Sequence, residues 1–204
     1  MNALELLHRV ADGWHRAPSD DLTAQRVLDA AARQLELFGI QRTTMEDVAR
    51  RAGVSRVTVY RHFTNKDELV EAVVLQEVRR FLFDLGAFLE DYETDEDRIV
   101  EGFAFTVARL RHHTLLQRLL EGEPELFLPV LTTGSGPLIA FARNLIVGYA
   151  APRMPLVPPE DLALGAEMGI RLTISLLLNP DGVLDLDDPE RLRGLARRFL
   201  PLAW

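Results

Sequence analysis

Thr43-Thr44-Met45-Glu46-Asp47-Val48-Ala49-Arg50-Arg51-Ala52-Gly53-Val54-Ser55-Arg56-Val57-Thr58-Val59-Tyr60-Arg61-His62-Phe63 is the stretch whose reading decides the fold. Thr44 precedes a helical run and has Asp47 three residues on, a capping-box-like start that also puts acid in the first turn. Val48, Ala49 and Ala52 give one apolar face, while Glu46, Arg50 and Arg51 stay polar. Gly53 is the residue that can adopt the positive φ that closes a helix. Val54 is expected to plug the angle to the next helix, for which Ser55 is a good N-cap. Val59 and Phe63, four apart, share a face and are assigned to the core. The pattern predicts two short helices joined by a tight turn, the second basic and exposed on most sides.

That is the shape of a helix-turn-helix, whose second helix lies in the DNA major groove. Arg56 suits a bidentate bond to guanine O6 and N7, and Thr58 a base edge or a phosphate. Tyr60, His62 and Lys66 are read as phosphate ligands that fix register, together with the N-terminus of the first short helix at Thr44. Ser55, Val57 and Arg61 complete the candidate DNA-facing set.

From about Val27 to Val74 the chain resembles the DNA-binding domain of the tetracycline-repressor (TetR) family of bacterial transcription regulators. The resemblance rests on Val27-Leu28-Asp29-Ala30-Ala31, Leu37-Phe38-Gly39, Thr43-Thr44, Val48-Ala49, Ala52-Gly53-Val54-Ser55, Thr58-Val59-Tyr60-Arg61-His62-Phe63 and Asn65-Lys66-Asp67-Glu68-Leu69. It implies phosphate contacts from Thr44, Tyr60, His62 and Lys66, and operator-dependent contacts from Arg56, Val57, Thr58 and Arg61. It further implies a ligand-responsive repressor that binds a palindromic double-stranded DNA operator as a homodimer.

The bulk composition is compatible with this. With 48% hydrophobic and 26% charged residues, the 204-residue chain has the make-up of a soluble globular protein. It has no Cys, which excludes disulfides, thiolate nucleophiles and Cys-ligated zinc. The start Met1-Asn2-Ala3-Leu4-Glu5 does not read as a signal peptide, and no segment approaches about 18 uninterrupted apolar residues, so the expected location is the cytoplasm, with no membrane partner. The formal net charge of −8 runs against DNA binding until it is placed along the chain. Six basic residues (Arg42, Arg50, Arg51, Arg56, Arg61, Lys66) face two acids (Glu46, Asp47) between Gln41 and Lys66, a local charge of +4. Eight acids accompany Arg98 alone between Asp84 and Glu101. Phosphate attraction is screened within roughly 8–10 Å, so a basic end can bind DNA beneath a distant acidic body.

The pattern predicts an all-α chain without strands: an N-terminal extension (1–21), a three-helix helix-turn-helix DNA-binding domain (22–68), and a larger helical ligand-binding and dimerisation domain (69–204). Residues 3–15 form an amphipathic helix with Leu4, Leu7, Ala11 and Trp14 on one stripe, broken by Ala17-Pro18-Ser19-Asp20-Asp21. This leader packs on the body, reaches DNA as an arm, or is weakly ordered. The first helix of the DNA-binding domain runs from Leu22 to Phe38 and ends at Gly39. Asn65-Lys66-Asp67-Glu68 caps a helix to about Phe83. Further helices are expected from Thr94 to Arg111, Thr114 to Gly122, Pro124 to Leu131, Pro137 to Ala150, Glu160 to Leu178 and Pro189 to Phe199. Pro152 to Pro159 is a stiff connector of polyproline character.

Leu162, Ala166, Gly169, Ile170, Thr173, Leu176 and Leu177 give a wide apolar surface with small residues. The family resemblance assigns dimerisation to the two C-terminal helices. It also suggests a small apolar or aromatic effector among the Phe-rich middle helices (Phe81, Phe83, Phe88, Phe103, Phe105, Phe127, Phe141). No cofactor, metal site or catalytic residue is expected. Gly134-Ser135-Gly136 lacks the spacing of a hydrolase elbow, and no phosphate-binding Gly-rich loop or zincin motif occurs. The rival readings are a helical enzyme and a protein-interaction module that has lost DNA binding. The latter does not need Arg56, Tyr60, His62 and Lys66 together.

Overall fold

Side-chain caps or a proline in the first turn mark the start of most of the helices. In a computed structural model, which describes residues 3–15 and 20–200, eleven helices and no strand form among the described residues. The expected break at Ala17-Pro18-Ser19 lies outside them. By their internal contacts these residues fall into two compact units, one comprising residues 1–81 and 113–134, the other 82–112 and 135–204.

In the first unit, α1 spans Ala3–Gly13. Helix α2, Leu22–Arg42, starts at Asp21, whose carboxylate accepts from the N–H groups of Thr23 and Ala24. Helix α3 is Met45–Ala52, α4 Arg56–His62 and α5 Lys66–Leu89. Helices α7, Thr114–Gly122, and α8, Pro124–Leu131, complete the unit, with α6 (Asp95–Arg111) belonging to the other. The core is drawn from Val27, Ala31 and Leu35 of α2, Val48 of α3, Val59 of α4, Val70 and Val73 of α5 and Leu115 and Leu119 of α7, all buried. Val48, Ala52, Val59 and Phe63 are thus spent on folding as the sequence predicts, and Val54 is half-buried.

Helix α2 ends in substance at Gly39, where φ reaches 76° and ψ 177°, although helical hydrogen bonding resumes to Arg42. The buried Thr43 hydroxyl ties off this kink by donating to the Gly39 carbonyl at 2.7 Å. Helix α5 extends past the expected end at Phe83 to Leu89. No proline interrupts it, and Leu89 is buried, which rewards another turn and a half.

The buried stripe of α1 is Ala3, Leu6, Val10 and Gly13, one position round from the expected Leu4, Leu7, Ala11 and Trp14, which are half-buried. Two interactions with α5 set this rotation. Arg9 pairs with the buried Glu71 at 2.9 Å, and Arg79 donates to the Trp14 carbonyl at 3.1 Å. A Cβ at Gly13 would stand 2.9 Å from Leu75, so glycine allows this close approach. The leader is therefore packed within its unit.

The second unit holds the end of α5, α6, and α9 (Gly136–Ala150), α10 (Pro159–Leu178) and α11 (Pro189–Phe199). Val100, Phe103, Ala104 and Val107 of α6 pack with Leu186 and with Leu192 and Ala196 of α11. Arg193 pairs with the buried Glu101 at 2.7 Å across the same seam. The connector before α10 is not extended polyproline. Arg153 and Met154 donate to the Ala150 carbonyl and Val157 to that of Met154. These turns exist because Met154 and Val157 bury themselves with Leu162, an apolar cluster that an extended strand could not form.

Candidate nucleic-acid interface

Two caps build the reading element. Thr44 accepts from the Asp47 N–H, while Asp47 accepts from the Thr44 N–H, closing the capping box. The Thr44 hydroxyl donates to Asp47 at 2.5 Å, and chiefly this bond holds the Asp47 carboxyl below its ordinary pKa. Gly53, at φ 66°, ends α3 in the left-handed conformation that glycine adopts without strain. Ser55 then accepts from the Thr58 N–H at 3.0 Å and shares a 2.8 Å hydrogen bond with the Thr58 hydroxyl.

Helix α4 has one fully buried residue, Val59. Opposite it, Val57 is 79% exposed. Arg56, Tyr60 and Arg61 are exposed beside it, and Thr58 is half-buried. Desolvating a valine gives a short helix its anchor, whereas an exposed valine gives folding nothing. The remaining members of the predicted set lie at the rims. Thr44 is exposed at the N-terminus of α3. Lys66, at the start of α5, donates to the Gln41 carbonyl at 3.3 Å.

His62 departs from the outward position expected of it. Its side chain is only 14% exposed, and Nδ1 stands 3.8 Å from the Asp21 carboxylate. The Asp21 carboxyl is held below its ordinary pKa first by the Thr23 and Ala24 N–H bonds, with His62 a lesser cause. His62 Nε2 is buried without a hydrogen-bond partner.

Four tertiary contacts were not legible in the sequence. Glu46 pairs with Arg56 at 2.5 Å, and the Arg56 guanidinium lies 5.3 Å from the centroid of the Tyr60 ring. The Arg56 pKa is raised, first by its bond to Tyr60 and then by Glu46. Arg26 of α2 donates to the Ala52 carbonyl at 2.8 Å, satisfying the end of α3. Arg51 donates to Gln34 at 2.7 Å. Glu123, buried at the junction of α7 and α8, accepts from the Gln41 N–H at 2.9 Å. The Arg56–Tyr60 contact is local, four residues apart on α4. The four tertiary contacts join residues of different helices or their caps, and no local spacing announces them.

The predicted dimer surface on α10 is partly used within the chain. Leu162 and Thr173 are buried, and Leu176 packs against the α6–α11 core, as does Leu172, which lies outside the predicted set. The large apolar side chains that α10 leaves exposed are Leu164 and Met168, one turn apart, and α11 leaves Phe199. A Cβ at Gly169 would stand 4.0 Å from Leu200, which brings the Phe199 end of α11 to the middle of α10. Among the phenylalanines, Phe103 is core, Phe88 stacks on Phe105 with centroids 4.8 Å apart, and Phe83 is exposed.

Comparison with known proteins agrees with this geometry. The family model described as bacterial regulatory proteins, tetR family, matches residues 27–73. A second, described as bacterial tetracyclin repressor, C-terminal domain, matches residues 96–197, half of the chain. The HTH-type transcriptional regulator AlkX of Mycobacterium tuberculosis is 27% identical over 185 residues, covering 89% of this chain and 85% of that protein. The HTH-type transcriptional regulator TtgR of Pseudomonas putida is 44% identical over 52 residues, or 26% of this chain and 25% of that one. The crystal structure of the TetR family repressor AlkX from Dietzia sp. strain DQ12-45-1b superposes with a TM-score of 0.63 at 26% identity, covering 90% of this chain and 96% of that one. The chain belongs to the tetR family of bacterial regulatory proteins: it is a DNA-binding transcriptional regulator, with operator DNA and a second copy of itself as partners.

Proposed function

We propose that this regulator is a cytoplasmic, ligand-responsive repressor that reads a palindromic operator by laying α4 in the major groove. Residues 22–68 form the reading head in this account, and residues 69–204 carry effector binding and dimerisation. One observation supports the reading most: α4 buries Val59 and leaves Val57 79% exposed between exposed arginines. An outward methyl pair suits the C5-methyl group of thymine, and Arg56 suits a guanine edge. Thr58 and Arg61 flank these contacts. Thr44, Tyr60, His62 and Lys66 set the register on phosphates, with Ser55 holding the start of the helix. His62 reaches a phosphate only after its ring turns away from Asp21.

Tyr60→Phe and Lys66→Ala are expected to weaken operator and random duplexes alike, about three- to tenfold each, because phosphate contacts carry no sequence information. Fluorescence anisotropy in titrated salt measures this. Absence of salt-sensitive binding by the wild-type protein to any duplex would refute the whole proposal.

The dimer in this reading forms through α10 and α11 around Leu164, Met168 and Phe199. Leu164→Asp is expected to lower the association constant at least tenfold, read by sedimentation, since it places a charge at the centre of an apolar contact. The effector is a small apolar or aromatic molecule bound in the 69–204 region. The Dietzia relative, a repressor implicated in biodegradation of n-alkanes, supports an apolar one. Control requires only differential affinity between two states; about 1.4 kcal/mol changes operator binding tenfold. No enzymatic step enters this account.

A further inference from the structure

We infer that Glu46 sets the sequence selectivity of the reading helix by acting through Arg56. The inference rests on the DNA reading proposed above and adds a residue to it. The first turn of α3 carries two acids, and only Asp47 is used by the cap, bonded to Thr44 and Arg50. Glu46 has no part in that box. Its carboxylate crosses instead to the first residue of α4, standing 2.5 Å from Arg56 Nη1. The guanidinium also lies over the Tyr60 ring, 5.3 Å from its centroid. Arg56 is therefore held between an anion and an aromatic ring, yet both charged side chains stay accessible, at 59% and 49% exposure.

Charge makes this pairing selective. Against random DNA an arginine contributes mainly by displacing a counterion from a phosphate, and a paired arginine brings no net charge to that exchange. A guanine edge offers two acceptors in the plane of the guanidinium, so it replaces the carboxylate contact with a bidentate one. Glu46 thus takes more from non-specific binding than from operator binding. Its role is that of a positioning residue whose partner reads the base.

The test uses the full-length dimer, a duplex selected by the protein from random DNA, and a random-sequence duplex, with anisotropy followed as salt is titrated from about 0.1 M. Glu46→Gln is expected to tighten random-duplex binding about tenfold and to steepen the slope of log affinity against log salt by about one unit per subunit. Affinity for the selected duplex should change less than about threefold, so the ratio of specific to random binding falls. In an Arg56→Ala background the same substitution should leave the slope unchanged. Circular dichroism of each variant checks that the fold is kept. An unchanged slope for Glu46→Gln, or a steepening that persists without Arg56, overturns the role assigned to Glu46. If the wild-type protein shows no salt-sensitive binding to either duplex, the DNA reading itself fails, an outcome separate from both.

Discussion

Arg56→Ala is expected to lower the affinity of the dimer for its operator by about a hundredfold or more, and to relax base preference at one position in each half-site. A bidentate arginine–guanine pair discriminates its base by about ten- to a hundredfold, and a symmetric dimer makes the contact twice. The loss is expected to be largest for the selected operator and small for random duplex, because the Arg56 guanidinium pairs with the Glu46 carboxylate in the free protein. This contrast separates Arg56 from Lys66, whose removal should weaken every duplex to a similar degree. Titration of wild type and variant against the operator and its single-base changes measures the effect. A uniform loss across all duplexes would move Arg56 from base reading to phosphate contact.

Gly39→Val is expected to destabilise the N-terminal unit by about 2–6 kcal/mol, the sum of two costs. Gly39 sits at φ 76°, where a β-branched residue is strained by about 1–3 kcal/mol. A Cβ there would stand 2.5 Å from the Glu123 carboxylate. Glu123 is buried and cannot swing into water, so its bond to the Gln41 N–H at 2.9 Å must lengthen or break. Leaving a buried pair unmade adds about 1–3 kcal/mol. DNA affinity should fall as well, since the Gln41 carbonyl accepts from Lys66. Urea denaturation followed by circular dichroism measures the stability, and a change below about 1 kcal/mol would show that the kink relaxes without cost.

Local rules made much of this molecule readable from sequence. Thr44 with Asp47, and Ser55, cap helices where their spacing places them. Gly53 closes α3 at positive φ as its position between two helical runs implies. Val59 of α4 and Phe63, the C-cap residue four positions on, are both buried, as their spacing implies. The misses share one cause, which is that tertiary contacts override local pattern. Helix α1 is held in its rotation by Arg9, which pairs with Glu71 of α5, and by Arg79 of α5, which donates to the Trp14 carbonyl. The 152–159 connector folds into turns because Met154 and Val157 find Leu162. The apolar surface read on α10 was too broad, since periodicity cannot tell a side chain that meets α6 from one that meets water. At the candidate site, residue types and spacing placed Arg56, Val57, Tyr60 and Arg61 on the exposed side of α4, where the structure has them. The inward turn of His62 and the Glu46–Arg56 pair depend on Asp21 and on the crossing of α3 and α4, which no spacing encodes.

The central claim is that two copies of α4 read two related half-sites. It is tested most directly by selecting bound duplexes from random DNA with the purified protein and sequencing them. The account predicts an enriched palindrome whose half-sites lie about 10 base pairs apart, or a multiple of that spacing, with a guanine at one fixed position in each half. Recovery of no enriched sequence, or of a motif without two-fold symmetry, would contradict it.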